Sequence, residues 1–179
     1  GGASTTAAGL ARVLAQSGHR VVLVGGDLRS PSAVGAPGAP GLAEVLVGTA
    51  RLSQVLVEGE VPGLELLPAG DMPGNPSELL GGRNMSDLLH HLAADRIVII
   101  DAPPVCRFTD AVVLAEYAGG VLLVARAGRT SAEELREAAL AVGQGGGHML
   151  GVVLTNVSDP GRGSRSVQAG VTHTESATV

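Results

Sequence analysis

Short apolar runs punctuated by helices constrain this 179-residue chain more than any other feature. Val21–Val24, Ile97–Ile100, Val121–Ala125 and Met149–Leu154 read as continuously apolar strands, and Leu64–Leu67 as another short strand. A strand with one wet face alternates apolar and polar residues; a strand buried on both faces does not. Helical stretches separate the runs. That alternation predicts an α/β fold: an open, mostly parallel sheet with helices on both faces. Ligands in such sheets bind at the carboxyl ends of the strands.

The helices carry their own signals. Ser4–Gln16 places Ala7, Leu10, Ala11 and Leu14 on one face, and Gly18 ends it. Gly9 costs that helix about 1 kcal/mol against alanine, which points to tight packing there. Gly41–Val47 and Leu52–Val57 read as two short helices. Asn75-Pro76-Ser77-Glu78 is a helix start, with Asn75 as cap, Pro76 in the first turn and Glu78 as the capping-box acid. A helix through Asp87–Ala94 follows, then Thr109–Ala118. Ser131 and Glu134 form a second capping box, opening Ser131–Val142. The organisation is one domain, residues 1–157, and a flexible Gly/Ser/Thr/Arg-rich tail, residues 158–179.

Composition removes several functions. Twelve basic against 17 acidic residues leave a net charge of -5, so a nucleic-acid surface is not expected. One Phe, one Tyr and no Trp supply no stacking platform for single strands. The single cysteine, Cys106, forms no disulfide within the chain and suits a reducing compartment. No apolar run reaches the 18 residues of a membrane span.

Chemistry concentrates at three places. Gly1-Gly2-Ala3-Ser4-Thr5-Thr6 has the shape of the second half of a phosphate-binding loop, opening a helix whose first N–H groups are unpaired. In G-x-x-x-x-G-K-[ST], Gly2 is the last glycine, Ala3 stands at the lysine, and Ser4 and Thr5 are the hydroxyls. The loop's first glycine and the strand that feeds it are not in this sequence. Two strands end in acids, Asp27 and Asp101, and a parallel sheet would bring both to the edge that holds the loop. A phosphate cradle with hydroxyls and two carboxylates suits Mg²⁺ and a nucleotide.

Longer motifs extend the pattern. They are Asp27-Leu28-Arg29-Ser30-Pro31, Gly41-Leu42-Ala43-Glu44-Val45-Leu46, Leu67-Pro68-Ala69-Gly70 and Asn75-Pro76-Ser77-Glu78-Leu79-Leu80. Ile99-Ile100-Asp101-Ala102-Pro103-Pro104, Thr109-Asp110-Ala111, Arg126-Ala127-Gly128-Arg129-Thr130 and Gly151-Val152-Val153-Leu154 follow in order. With these, the chain resembles the cytoplasmic P-loop domain of bacterial tyrosine kinases of the capsular exopolysaccharide family. That family lies within the wider MinD/ParA-like deviant-Walker ATPases.

The resemblance implies a P-loop fold and binding of ATP or ADP with Mg²⁺. Gly2, Ala3, Ser4 and Thr5 would cradle phosphate, and Asn156 would contact adenine. Ser4 (or Thr5), Asp27 and Asp101 would hold the metal, with Asp27 and Asp101 as the catalytic acids and Asp27 near the attacking hydroxyl. It further implies a membrane-bound polysaccharide chain-length regulator, or an upstream membrane segment of the same protein, as partner. Homo-oligomers and a place at the inner face of the cell membrane belong to the same expectation.

Two departures bear on activity. Ala3 removes the cation that stabilises a transferring phosphoryl group, so turnover should suffer more than nucleotide binding. The only tyrosine, Tyr117, lies in an expected helix, so the tail offers no tyrosine to phosphorylate. The expected function is an ATP-binding, tyrosine-kinase-like regulator of exopolysaccharide synthesis with impaired chemistry. The alternatives are a non-catalytic pseudokinase scaffold and a MinD/ParA-type positioning ATPase.

Overall fold

The computed structural model describes residues 2–30, 34–105, 107 and 109–157. Helix α1 (Ala3–Gln16) leads into strand β1 (Val21–Gly25), followed by α2 (Leu42–Val47) and α3 (Leu52–Val55). Next come β2 (Val57–Glu58), β3 (Leu64–Leu67), α4 (Pro76–Leu80), α5 (Arg83–Ala93) and β4 (Ile97–Asp101). The chain closes with α6 (Asp110–Tyr117), β5 (Val121–Arg126), α7 (Ala132–Gln144) and β6 (Met149–Thr155).

β1 is the centre of the first sheet. It pairs in parallel with β3 on one side and β4 on the other, and the short β2 adds antiparallel to β3. All five β1 residues are buried, and the reason lies in the strand's two faces. Val21 and Leu23 pack on α1 residues Ala7, Ala11 and Ala15. Val22 and Val24 point the other way, into a larger core with Leu42, Leu46, Leu80, Met85 and Leu92. A continuous apolar run is what two cores demand of one strand.

Several local expectations are corrected. The second short helix stops at Val55, and Val57–Glu58 instead pairs with Leu66 and Glu65 as an edge strand. The stretch after Asn75 is two helices, broken at Gly81-Gly82, rather than one. Asn75 makes no side-chain cap; its Nδ2 donates to Glu78 Oε2 at 2.7 Å instead. A Cβ at Gly9 would meet nothing within 4 Å, so no close packing explains that glycine. β6 is period-two: Leu150, Val152 and Leu154 are exposed while their neighbours are half-buried.

The largest departure is in the sheet. Where one continuous sheet was expected, the described residues form two, since β5 and β6 pair in parallel only with each other. Residues Ile97–Asp101 of β4 and Val121–Val124 of β5 line a common cavity of about 1150 Å³, with Leu10 and Leu14 of α1 on its wall. β4 and β5 carry no hydrogen bonds to each other. The tail, residues 158–179, and Cys106 lie outside the described residues.

Two motifs lock together near the sheet. Leu42 and Ala43 donate backbone N–H groups to the carbonyls of Pro68 and Ala69, at 2.8 and 3.0 Å. Glu44 accepts from Gly41 N at 2.6 Å and from Asp71 N at 3.1 Å, bridging α2 to the loop after β3. A side chain at Gly41 would collide with the Pro68 carbonyl.

Candidate functional site

The parallel register decides where the acids emerge. Gly25, the last residue of β1, pairs with Asp101, the last of β4, and Gly26 N donates to the Asp101 carbonyl at 2.9 Å. Both strands therefore release their acidic loops at one carboxyl edge. A Cβ on Gly26 would stand 2.7 Å from Ile100 Cγ2 and 3.2 Å from the Asp101 carbonyl oxygen. Only glycine lets the two chains approach so closely.

The tip of α1 reaches the same edge. Gly2 precedes the helix with φ 127°, a conformation that favours glycine. Its carbonyl accepts from Thr6 N at 2.9 Å and Thr6 Oγ1 at 2.8 Å. A Cβ on Gly2 would lie 2.9 Å from Thr155 Oγ1, so the end of β6 flanks the helix start. Ala3, Ser4, Thr6, Asp27, Ser30 and Asp101 all line the large cavity.

The structure brings together most of the residues singled out in the sequence. The Ser4 hydroxyl is near enough to Asp101 to lower its pKa, and Asp27 is near enough to act on Asp101 by charge. Of the two candidate hydroxyls, Ser4 therefore faces the acids, while Thr5 is exposed and lines no part of the cavity. Asn156 follows β6 in a left-handed turn, φ 58°, exposed and outside the cavity lining.

Asp101 is the electrostatic focus. It is 4% exposed, and its Oδ2 is buried without a hydrogen-bond partner. Desolvation raises its pKa above the ordinary carboxylate range, the Ser4 hydroxyl opposes this, and the charge of Asp27 raises it further. A buried oxygen beside a second carboxylate is an arrangement that a divalent cation relieves. Among the described residues no group of three or more His, Cys, Asp or Glu side chains is placed to hold a metal. Mg²⁺ keeps several waters and takes one or two carboxylates. Ser4, Asp27 and Asp101 fit such an ion, and the free N–H groups of α1 fit a phosphate beside it.

One cluster went unread in the sequence. Arg29, two residues beyond Asp27, donates Nε to Asp110 Oδ2 at 2.5 Å and Nη2 to Asp110 Oδ1 at 3.3 Å. Its Nη2 also donates to Ser77 Oγ at 3.0 Å, and Ser77 in turn donates to Asp110. Asp110 is fully buried in the first turn of α6. The Arg29 hydrogen bond leads in holding its carboxyl below the usual range, against desolvation. Three separate sequence motifs thus meet at one carboxylate. The available signal was an acid placed directly before the apolar run Ala111–Leu114.

No protein-family model matches the chain. EpsB of Ralstonia nicotianae is 39% identical over 173 residues, which are 92% of this chain and 23% of that protein. The tyrosine-protein kinase CpsD of Streptococcus agalactiae is 33% identical over 163 residues, covering 88% of this chain and 70% of that kinase. The chain thus spans under a quarter of the Ralstonia relative and about two thirds of the Streptococcus one. Among solved structures, the kinase domain of the Escherichia coli tyrosine kinase ETK superposes with a TM-score of 0.79 at 32% identity, over 88% of this chain and 63% of that one. A MinD from Pyrococcus horikoshii, complexed with Mg-ADP, matches at a TM-score of 0.64 and 21% identity, a likeness of fold. The register of β1 and β4, the hydroxyl at the tip of α1 and these similarities agree, and the chain belongs to the bacterial tyrosine-protein kinase family.

Proposed function

We propose that this domain binds ATP and ADP with Mg²⁺ at the edge formed by α1, β1 and β4. The observation that carries the reading is the buried, partnerless Oδ2 of Asp101, in a carboxyl on which both Ser4 and the charge of Asp27 act. In this reading Gly2, Ala3, Ser4 and Thr5 offer backbone N–H groups to phosphate. Ser4, Asp27 and Asp101 hold the metal, Asp101 through its water. Asp27 would accept the proton of an attacking hydroxyl, and Asn156 would contact adenine. When bound, Mg²⁺·ATP supplies the phosphoryl group and neutralises its charge.

The wider role is a tyrosine-kinase-like regulator of exopolysaccharide or capsule synthesis. Its partner would be a membrane-bound chain-length regulator or a membrane segment of the same protein, and copies of the domain would assemble with each other at the inner membrane face. No helix among the described residues is long and apolar enough to cross a membrane. Ala3 at the lysine position favours reduced phosphoryl transfer with nucleotide binding retained. The same residue supports a second reading, a pseudokinase scaffold. A MinD/ParA-type positioning role has only fold likeness behind it.

Calorimetry with Mg·ADP tests the nucleotide site, and ATP turnover before and after Ala3→Lys tests its chemistry. Saturable binding that weakens in EDTA supports the nucleotide site, and no binding to a folded domain overturns it in favour of the scaffold.

A further inference from the structure

We propose that Arg29 is a positioning residue: clamped by Asp110 and Ser77, it sets the orientation of the Asp27 carboxylate at the site. The inference rests on the nucleotide reading for its functional meaning, but its geometric content stands apart from it.

Asp27 Oδ1 accepts two backbone N–H groups, from Arg29 and Ser30, each at 3.1 Å. Both bonds fall on one oxygen, so the plane of the carboxylate follows the path of the loop. That path has two anchors. Leu28 is 2% exposed and sits in the larger core, which holds the loop down without fixing its direction. Arg29 supplies the direction, because a guanidinium fork on a carboxylate admits a narrow range of geometries. Its acceptor, Asp110, belongs to α6, and Ser77 belongs to α4, so the fork ties the β1 loop to two helices at once.

The burial of Asp110 argues that geometry, more than stability, is the return. A buried ion pair gains little over apolar residues of similar volume, because desolvation offsets the attraction. Here a fully buried carboxylate has been kept beside an arginine that is one third exposed. The pair begins two residues beyond Asp27, and the Arg29 guanidinium is near enough to Asp27 to act on it by charge. Its effect on the Asp27 carboxylate runs through the backbone of residues 27–30 and through that charge.

The test uses the domain in three variants: Arg29→Lys, Asp110→Asn and Asp27→Asn. Amide hydrogen exchange reads the geometry without any ligand. In Arg29→Lys and Asp110→Asn, the Arg29-position and Ser30 amides should exchange roughly tenfold faster or more, while those of Val22–Val24 stay unchanged. Unchanged exchange at positions 29 and 30 in a folded Arg29→Lys variant overturns the proposal, and that variant decides the matter if Asp110→Asn does not fold. Calorimetry then reads the site. The factor by which Mg²⁺ strengthens ADP binding should fall roughly tenfold or more in either clamp variant, with metal-free ADP affinity held. On an Asp27→Asn background the clamp change should add nothing, since its route is gone. An additive loss, or an equal loss of metal-free binding, marks a merely structural role and overturns the claim. If the parent domain binds no Mg·ADP, the nucleotide reading fails, and the exchange result still decides the positioning claim by itself.

Discussion

Ser4, in the first turn of α1, lies close enough to Asp101, the last residue of β4, to lower its pKa, and so brings the helix start and the strand end to one point. Ser4 works against burial and the charge of Asp27, which both push this carboxylate toward protonation. Stability and function therefore pull in opposite directions at this residue.

Asp101→Asn should stabilise the ligand-free domain at neutral pH by about 1 kcal/mol or more, because it removes a buried charge with an unsatisfied oxygen. The sign follows from the raised pKa: the folded state carries the cost above that pKa and loses it as the acid protonates. The advantage of the variant should thus shrink as pH falls through the folded-state value. The same variant should lose Mg²⁺-dependent ADP binding. Thermal melts across pH, with calorimetry at neutral pH, check both halves; a less stable variant at pH 8 would refute the electrostatic account.

Asp110 behaves in the opposite sense. Its carboxyl is held low, first by the Arg29 hydrogen bond. Its contribution is complete above the ordinary aspartate value of about 3.9 and drains away as pH falls through the lower folded value. Acid-unfolding curves of Asp110→Asn should therefore converge on the parent's at the acid extreme and lie below it at neutral pH.

Two glycines of one chain should respond to alanine in opposite ways. At Gly26 the added Cβ meets Ile100 at 2.7 Å and Leu114 at 3.0 Å, so Gly26→Ala should cost about 1–3 kcal/mol. At Gly9 it meets nothing within 4 Å, so Gly9→Ala should stabilise α1 by up to about 1 kcal/mol. Urea titrations of the two variants beside the parent measure the difference.

Ala3→Lys restores the cation of the phosphate loop. On the proposed reading it should raise phosphoryl turnover by about 10²-fold or more while changing Mg·ADP affinity far less. Asp27→Ala in that background should abolish the gain. A radiolabelled ATP assay reads both, and a lysine variant that binds nucleotide but never turns it over would favour the scaffold.

Much of the molecule was legible in one dimension. The apolar runs of β1 and β4, the Ser131–Glu134 capping box and the acids that follow the strands are local patterns, and local patterns are written in residue order. The parallel assignment then follows, because a strand buried on both faces needs helices to cover it. The convergence of Ser4, Asp27 and Asp101 on one edge came with that assignment.

What residue order could not determine were choices made by packing between distant segments. Spacing alone left Ser4 and Thr5 equivalent; the rotation of α1 against β4 turned Ser4 to the acids and Thr5 to solvent. Nothing near Arg29 announced that its partners would be Ser77 and Asp110, because that fork exists only once α4 and α6 lie side by side over the β1 loop. The division of the sheet between β4 and β5, and the bare alternate residues of β6, likewise depend on which backbone edges meet. Propensity and periodicity are properties of neighbours along the chain, whereas register, rotation and the pairing of buried charges belong to surfaces that only the folded molecule brings into contact.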